Sequence, residues 1–124
     1  MIKGIGIDII EIDRIKKAVK KYGRHFLDKV FTPNELRYCT NKKHFRFPEL
    51  SVRFAAKEAY AKALGVGISG FGRKNKGINW KEIEIVNNPQ GKPSLSIRGR
   101  KSKKVLVSLS HSRDYAVASV YVEN

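Results

Sequence analysis

The chain contains one cysteine, Cys39, and no long apolar segment. A lone cysteine cannot form an internal disulfide bond, which agrees with a reducing compartment. There is no run of about 18 apolar residues, and the N-terminus lacks a charged region followed by an apolar stretch. We therefore expect a soluble, unprocessed cytoplasmic protein that does not interact with membranes through a spanning helix.

Acidic residues are also scarce. The 124 residues include 11 Asp and Glu against 26 Lys and Arg, which gives a formal net charge of +15. Such an excess attracts polyanions, whether nucleic acid, an acidic membrane, a phosphorylated cofactor or an acidic protein. The length suits one domain over residues 1–124 with a modest core.

Glycine is concentrated in residues 66–77, where it is mixed with basic residues. The composition is similar to that of a phosphate-binding loop. However, the GxxxxGK[ST] order is absent, so a Walker-type nucleotide hydrolase is not supported. We expect a mobile loop in this segment.

The first ten residues alternate as a β-strand does. The two predicted faces are Ile5, Ile7 and Ile9 on one side and Gly4, Gly6 and Asp8 on the other. Glycines weaken a strand, so we interpret them as space for another backbone or a ligand beside Asp8. The alternative, that Asp8 only helps to start the next helix, remains open.

Residues 12–22 have helical periodicity, with basic residues, Arg14 among them, largely off the apolar stripe. A solvated face is the usual explanation for such charge. The excess of one sign instead favours an acidic partner surface. Farther along, Thr32, Pro33 and Glu35 form a capping-box signature, which predicts a short helix after Thr32.

Residues 51–65 form the stretch around which the chain is organised. Its alanines share one broad helical face, which predicts close packing on a sheet, and Gly65 is placed to end the helix. Glu58 and Lys62 are four residues apart in the favourable order for an ion pair. Spacing alone leaves open whether this pair is a common surface feature or part of a functional site.

The remaining sequence predicts β-structure. Strands are expected near residues 80–86, 94–97, 105–111 and 116–122, with turns and hairpins between them. Together with the helices they give an α+β domain, mainly an antiparallel sheet packed by the long alanine-rich helix, and the first strand should join the C-terminal sheet. The predicted core comprises Ile5, Ile7, Ile9, Ala55, Ala59, Ala63, Val107, Leu109, Ala118 and Val120.

His111 follows Ser110 and precedes Asp114, which suggests a hydrolase triad at first sight. Adjacent residues on a strand project to opposite faces, so Ser110 and His111 cannot make the required contact. His111 is then either a packing histidine or a phosphate ligand. A non-catalytic RNA-binding module would share the charge, but no RNP-like or GXXG signature is present.

Several motifs resemble a known family in order and near spacing. They are Gly4-Ile5-Gly6-Ile7-Asp8, Phe31-Thr32-Pro33-Asn34-Glu35-Leu36, Arg53-Phe54-Ala55-Ala56-Lys57-Glu58-Ala59 with Lys62 and Gly65, Asn88-Pro89-Gln90-Gly91-Lys92-Pro93, and Ser108-Leu109-Ser110-His111-Ser112. The whole chain resembles the small 4′-phosphopantetheinyl transferases, the bacterial holo-acyl-carrier-protein synthases.

This resemblance implies a chemistry. Members move phosphopantetheine from coenzyme A to a serine of apo-acyl carrier protein, in support of fatty acid biosynthesis. By resemblance, Asp8 and Glu58 bind Mg²⁺, and Lys62 neutralises the phosphates and assists the leaving group. Glu58 or a water on the metal would remove the serine proton.

The resemblance also implies binding residues and partners. Arg53, Lys57, Lys62, Gly65 and His111 would contact coenzyme A, with His111 coming from a neighbouring subunit of a homotrimer. The helix that carries Arg14 would dock the acidic carrier protein. A docking subunit without catalysis would have the same surface but form no product.

Overall fold

The computed structural model describes residues 1–69 and 77–124, and within them the fold is the predicted α+β class. Part of the loop expected at residues 66–77, namely 70–76, lies outside the described residues. The helices are α1 (Ile12–Tyr22), α2 (Arg24–Val30), α3 (Pro33–Tyr38), α4 (Phe47–Leu64) and a 3-10 helix (Trp80–Glu82). The strands are β1 (Ile2–Glu11), β2 (Thr40–Asn41), β3 (His44–Phe45), β4 (Ile68–Ser69), β5 (Ile78–Asn79), β6 (Ile83–Asn87), β7 (Pro93–Ile97), β8 (Arg100–Lys101), β9 (Val105–His111) and β10 (Tyr115–Glu123).

The main sheet is antiparallel and has the strand order β1-β10-β9. Gly6 lies opposite Val120, and Ala118 lies opposite Leu109. The first strand therefore pairs with the last, as expected from the sequence. This pairing places Asp8, near one end of β1, in the same sheet as His111, at the end of β9.

Helix α4 packs against this sheet at unusually short range because β1 offers glycine there. A Cβ atom on Gly4 would lie 2.1 Å from the carbonyl oxygen of Ala63, and one on Gly6 would lie 1.8 Å from that of Ala59. Both distances are far below van der Waals contact, so any side chain would push the helix away. The glycines thus make room for a backbone, one of the two explanations left open by the sequence.

The same contact reverses the predicted core face of β1. Ile5, Ile7 and Ile9 were expected inside, but they are 59%, 61% and 65% exposed, because the glycine face is the one that receives α4. Side chains alternate along a strand, so the isoleucines must point away from the helix. The rest of the predicted core, on α4, β9 and β10, is buried or partly buried.

A second antiparallel sheet, β6-β7-β8, packs beside the first. The strand predicted from residue 80 is wrong for its first three residues, since Trp80–Glu82 form the 3-10 helix. The Asn79 side chain accepts a hydrogen bond from the Lys81 backbone, which caps that turn, and the Trp80 side chain is buried. Trp80 lies against α4, stacked on Phe54 with ring centroids 4.7 Å apart.

The capping box is present as predicted. The Thr32 hydroxyl accepts a hydrogen bond from the Glu35 backbone, and the Glu35 carboxylate accepts one from the Thr32 backbone. Helix α4 ends at Gly65, whose φ of 72° is left-handed and favours glycine. None of the helices in the described ranges is long and apolar enough to cross a bilayer.

Candidate active site

Asp8 and Lys62 meet where β1 passes beneath the end of α4. The Lys62 amino group lies 2.9 Å from Asp8 Oδ1 and donates a second hydrogen bond to the Ile7 carbonyl, at 3.0 Å. Asp8 is partly buried, whereas 54% of the Lys62 side chain is exposed. Lys62 therefore neutralises Asp8 while remaining accessible from solvent.

Glu58 precedes Lys62 by one helical turn and is half-buried. Both residues line a cavity of about 370 Å³ together with Val66, Gly67 and Trp80, among others. Asp8 adjoins this cavity through its ion pair with Lys62. We call Asp8, Glu58, Lys62 and the cavity the carboxylate pocket.

The carboxylate pocket suits a hard cation in its donor chemistry. Mg²⁺ is usually held by one or two carboxylates and completes its shell with water and substrate phosphate oxygens. Within the described ranges there is no group of three or more His, Cys, Asp or Glu that could hold a metal. The two carboxylates near this cavity are Glu58, which lines it, and Asp8, which contacts Lys62 at its edge.

Lys57, which the family resemblance assigns to coenzyme A, is buried and does not line this pocket. Its side chain is 0% exposed, and its amino group bonds Glu35 Oε1 at 2.6 Å and the backbone carbonyls of Val30 and Trp80 at 2.7 and 3.1 Å. Burial lowers the pKa of Lys57, and the adjacent Glu35 opposes that shift. Lys57 has no surface to offer a coenzyme phosphate, because three oxygens inside the protein occupy its donors.

Arg53 and His111 line a different cavity, of about 190 Å³. Arg53 is 1% exposed, and its guanidinium donates to the Glu49 backbone carbonyl at 3.0 Å and to the Asn87 side chain. It also lies over the Tyr38 ring, 4.4 Å from the centroid. We call this site the arginine cavity.

The carboxylate pocket and the arginine cavity share no lining residue. Both use α4, but Arg53 and Glu58 are five residues apart and project in different directions. Within the chain, Asp8 contacts Lys62, and Lys62 lines the same cavity as Glu58, whereas Arg53 and His111 line the other cavity. Gly65 lies beside the first site, directly before Val66, and is exposed.

Sequence reasoning missed three residues of the arginine cavity. Glu49 precedes Arg53 by four positions, a spacing that predicts an ion pair on a helix, and this signal could have identified it. Asn87 and Tyr38 come from distant parts of the chain, and no local pattern connects them with Arg53. They become visible only when β6 and α3 are packed against α4.

Helix α1 presents the expected basic surface. Arg14 and the four lysines of the helix are exposed, and Asp13 pairs only with Lys17 among the described residues, at 2.9 Å. Beside Arg14 lies a shallow apolar groove of about 320 Å³. Its lining is Ile10, Arg14, Ile15, Ala18, Tyr22, Phe26 and Phe54.

Known proteins closely resemble this chain. "Holo-[acyl-carrier-protein] synthase" of Chloroherpeton thalassium is 48% identical over 123 residues, which is 96% of both chains. The protein of the same name from Protochlamydia amoebophila is 49% identical over 125 residues, 95% of each.

Solved structures agree. The holo-[acyl-carrier-protein] synthase from Neisseria meningitidis is 34% identical and covers 100% of both chains, with a TM-score of 0.81. That from Bacillus anthracis, in complex with coenzyme A (3′,5′-ADP), is 38% identical over 100% of this chain and 98% of its own, with a TM-score of 0.75. Residues 4–120 match the description "4'-phosphopantetheinyl transferase superfamily". The chain belongs to the 4′-phosphopantetheinyl transferase superfamily, as its sequence motifs predicted.

Proposed function

We propose that this chain transfers the 4′-phosphopantetheine group of coenzyme A to a serine of apo-acyl carrier protein in the cytoplasm, in support of fatty acid biosynthesis. The products are holo-carrier and adenosine 3′,5′-bisphosphate, and residues 1–124 form the catalytic domain. The observation that supports this most is the Asp8–Lys62 pair beside Glu58, in a chain whose relatives carry the name of this enzyme.

The reaction is a displacement at phosphorus. The serine oxygen forms a bond to the phosphorus that carries pantetheine, and the bond from that phosphorus to the bridging oxygen breaks. Adenosine 3′,5′-bisphosphate leaves with the electron pair. The chain must therefore remove the serine proton and stabilise charge on the departing phosphate.

Glu58 and Lys62 suit these two tasks. Glu58 is placed in the pocket wall, where its carboxylate can accept the serine proton. Lys62 is exposed enough to reach a phosphate and can stabilise or protonate the leaving oxygen. Asp8 and Glu58 would also hold Mg²⁺, which when bound supplies charge neutralisation for the pyrophosphate.

We propose that the complete site forms between subunits of a homotrimer. The arginine cavity, with Arg53 and His111, is separate from the carboxylate pocket within one chain, so a coenzyme bound to both would join two subunits. The exposed isoleucines Ile5, Ile7 and Ile9 support such assembly, because apolar faces of this kind usually mark interfaces. Light scattering of the protein and of Ile7→Lys measures the oligomeric state in solution. We expect the parent protein to be a trimer and the variant to dissociate. A monomeric parent protein would contradict the proposed assembly.

Carrier docking is assigned to helix α1. Its exposed bases would attract an acidic carrier, and the apolar groove beside Arg14 offers a surface for apolar side chains. The high net charge suits both the carrier and coenzyme A. A carrier seated there would approach Glu58 from the Phe54 side of α4, since Phe54 lines the groove and lies one turn before Glu58.

The transfer is tested by incubating the protein with apo-carrier, coenzyme A and Mg²⁺ and measuring the carrier mass by mass spectrometry. A gain of one phosphopantetheine is expected, and chelation of Mg²⁺ should abolish it. Glu58→Gln should lose at least about 100-fold in rate. Glu82→Gln, which removes a carboxylate that pairs with Arg98, is the matched control and should retain activity.

Two results would contradict the proposal. No mass gain with any acidic carrier would remove the transferase assignment, and RNA binding that coenzyme A does not affect would then favour a polyanion-binding module. Full activity in Glu58→Gln would remove only the role given to Glu58.

A further inference from the structure

The arginine cavity already contains a carboxylate, that of Glu49, which lies near both Arg53 and His111. Glu49 Oε2 lies 3.8 Å from Arg53 Nη1, and Glu49 Oε1 lies 3.6 Å from His111 Nε2. One carboxylate thus faces both groups that the proposed function assigns to a phosphate of coenzyme A. The His111 contact becomes an ion pair when the imidazole is protonated.

Arg53 does not need this carboxylate to hold its position. The Glu49 backbone carbonyl and the Asn87 side chain accept hydrogen bonds from its two terminal nitrogens, and the Tyr38 ring supports the guanidinium plane. The carboxylate oxygen is 3.8 Å from Nη1, longer than a hydrogen bond. Its contribution is therefore charge neutralisation of a buried guanidinium and not orientation.

The guanidinium also keeps spare hydrogen-bonding capacity. Arg53 Nε is buried and has no hydrogen-bond partner among the described residues. A guanidinium attracts carboxylate and phosphate alike, so either anion can lie beside Arg53. The cavity has a volume of about 190 Å³ and is lined by Glu49, so a phosphate bound there would lie within a few ångströms of the Glu49 carboxylate. Their repulsion prevents both from binding well at once.

Glu49 can leave. It lies in the first turn of α4, and 27% of its side chain is exposed, so a rotation about its side-chain bonds carries the carboxylate into solvent. Arg53, at 1% exposure and held at three points, cannot make a comparable movement. The arrangement consists of a fixed cation and a movable internal anion.

We propose that Glu49 is an internal competitor for the phosphate site of the arginine cavity. Its carboxylate neutralises Arg53 and lies against His111 in the free protein, and a phosphate of the substrate displaces it. The proposal rests on the proposed function, because it takes that phosphate to belong to coenzyme A. The product adenosine 3′,5′-bisphosphate faces the same competition, so Glu49 weakens product binding and hastens product release.

The test measures binding of adenosine 3′,5′-bisphosphate by isothermal titration calorimetry at low salt. Glu49→Gln keeps the shape of the side chain and removes its charge, and Glu49→Ala removes the group. Both should bind the bisphosphate about 2- to 10-fold more tightly than the parent protein, with the gain reduced at high salt. Asp28→Asn removes the same charge from an exposed pair with Arg24 on α2 and should leave the affinity unchanged.

The alternative role of Glu49 is purely structural, as an acidic residue at the N-terminus of a helix. In that case both variants lower the unfolding temperature without a gain in affinity. Equal or weaker bisphosphate binding by Glu49→Gln therefore overturns the proposal.

Failure of the proposed function looks different. A parent protein that neither binds the bisphosphate nor modifies a carrier would refute the transferase assignment. Titration with inorganic phosphate, followed by the His111 imidazole resonances in the NMR spectrum, would still decide the role of Glu49. Tighter phosphate binding by Glu49→Gln is expected, and unchanged binding refutes the competition.

Discussion

Two lysines on α4 differ completely in environment although both contact a carboxylate. Lys57 lies 2.6 Å from Glu35 and neither side chain is more than 1% exposed, whereas Lys62 lies 2.9 Å from Asp8 with 54% of its own side chain exposed. The first pair connects five elements, since Lys57 on α4 also bonds Val30 of α2 and Trp80 of the 3-10 helix, and Glu35 Oε2 on α3 accepts from a backbone amide of β6. The second pair borders a cavity.

The two environments suit different roles for lysines on the same helix, one in stability and one in contact with a ligand. Desolvation makes a buried charge costly unless it is fully paired, so Lys57 cannot be removed or moved without leaving Glu35 alone. An exposed lysine can exchange its partner for a phosphate at little cost. We therefore expect Lys62, and not Lys57, to reach a substrate.

The largest effect is expected when Lys57 is replaced by methionine. Glu35 would remain buried without its cation, and the free energy of unfolding should fall by about 3–5 kcal/mol. Urea unfolding followed by the fluorescence of Trp80, the one tryptophan in the sequence, measures this. The double variant Lys57→Met, Glu35→Gln should recover part of the loss, and a loss below about 1 kcal/mol in the single variant would contradict the comparison.

Replacing Lys62 by methionine should lower the reaction rate and leave the unfolding stability nearly unchanged. The rate of carrier modification should fall by about 100-fold or more, since a cation at the departing phosphate is lost. Unfolding stability should change by less than about 1 kcal/mol, because the pair is solvent-exposed. Steady-state kinetics and urea unfolding of the same preparation check both statements. If Lys62→Met were destabilised but still active, Lys62 would have the stabilising role that we assign to Lys57.

Arg14 is a third cation, on α1, and it is exposed. Arg14→Glu reverses a charge on the proposed docking helix and should lower kcat/KM for the carrier about 10-fold at low salt. Coenzyme A binding and unfolding stability should be retained. The deficit should shrink as salt is raised, because screening weakens the steering field. A deficit independent of salt would mean that Arg14 acts by another route.

The smallest effect concerns the stability of the exposed pair itself. A double-mutant cycle of Asp8→Asn and Lys62→Met should give a coupling energy of about 0.2–1 kcal/mol. The corresponding cycle for Glu35 and Lys57 should give a clearly larger value. Similar coupling energies for the two pairs would show that burial does not distinguish them.

Local sequence signals predicted several features correctly. The Thr32 capping box and the end of α4 at Gly65 depend only on residues within one helical turn, so short-range rules apply to them. The family motifs likewise predicted the superfamily. The assignment of Asp8, Glu58 and Lys62 to one site remains a proposal, supported by the contact between Asp8 and Lys62.

Other features could not be predicted from spacing. Alternation correctly divided β1 into two faces, but hydrophobicity selected the wrong one, because α4 packs on the glycine face, where side chains would clash with its backbone. By family resemblance both adjacent motif positions have a binding role, Lys57 toward coenzyme A and Glu58 toward Mg²⁺. Whether each is available depends on α3 and β6, which are distant in sequence.

Neighbouring residues and whole motifs were enough to predict most of the helices and strands, the basic charge, the caps and the superfamily. The packing of distant segments was needed to show that Lys57 is buried against Glu35, that the isoleucines of β1 face outward, and that Arg53 and Glu58 line separate cavities. Burial and pairing depend on which distant segments pack together, and the glycines of β1 allow α4 to pack closely on the sheet.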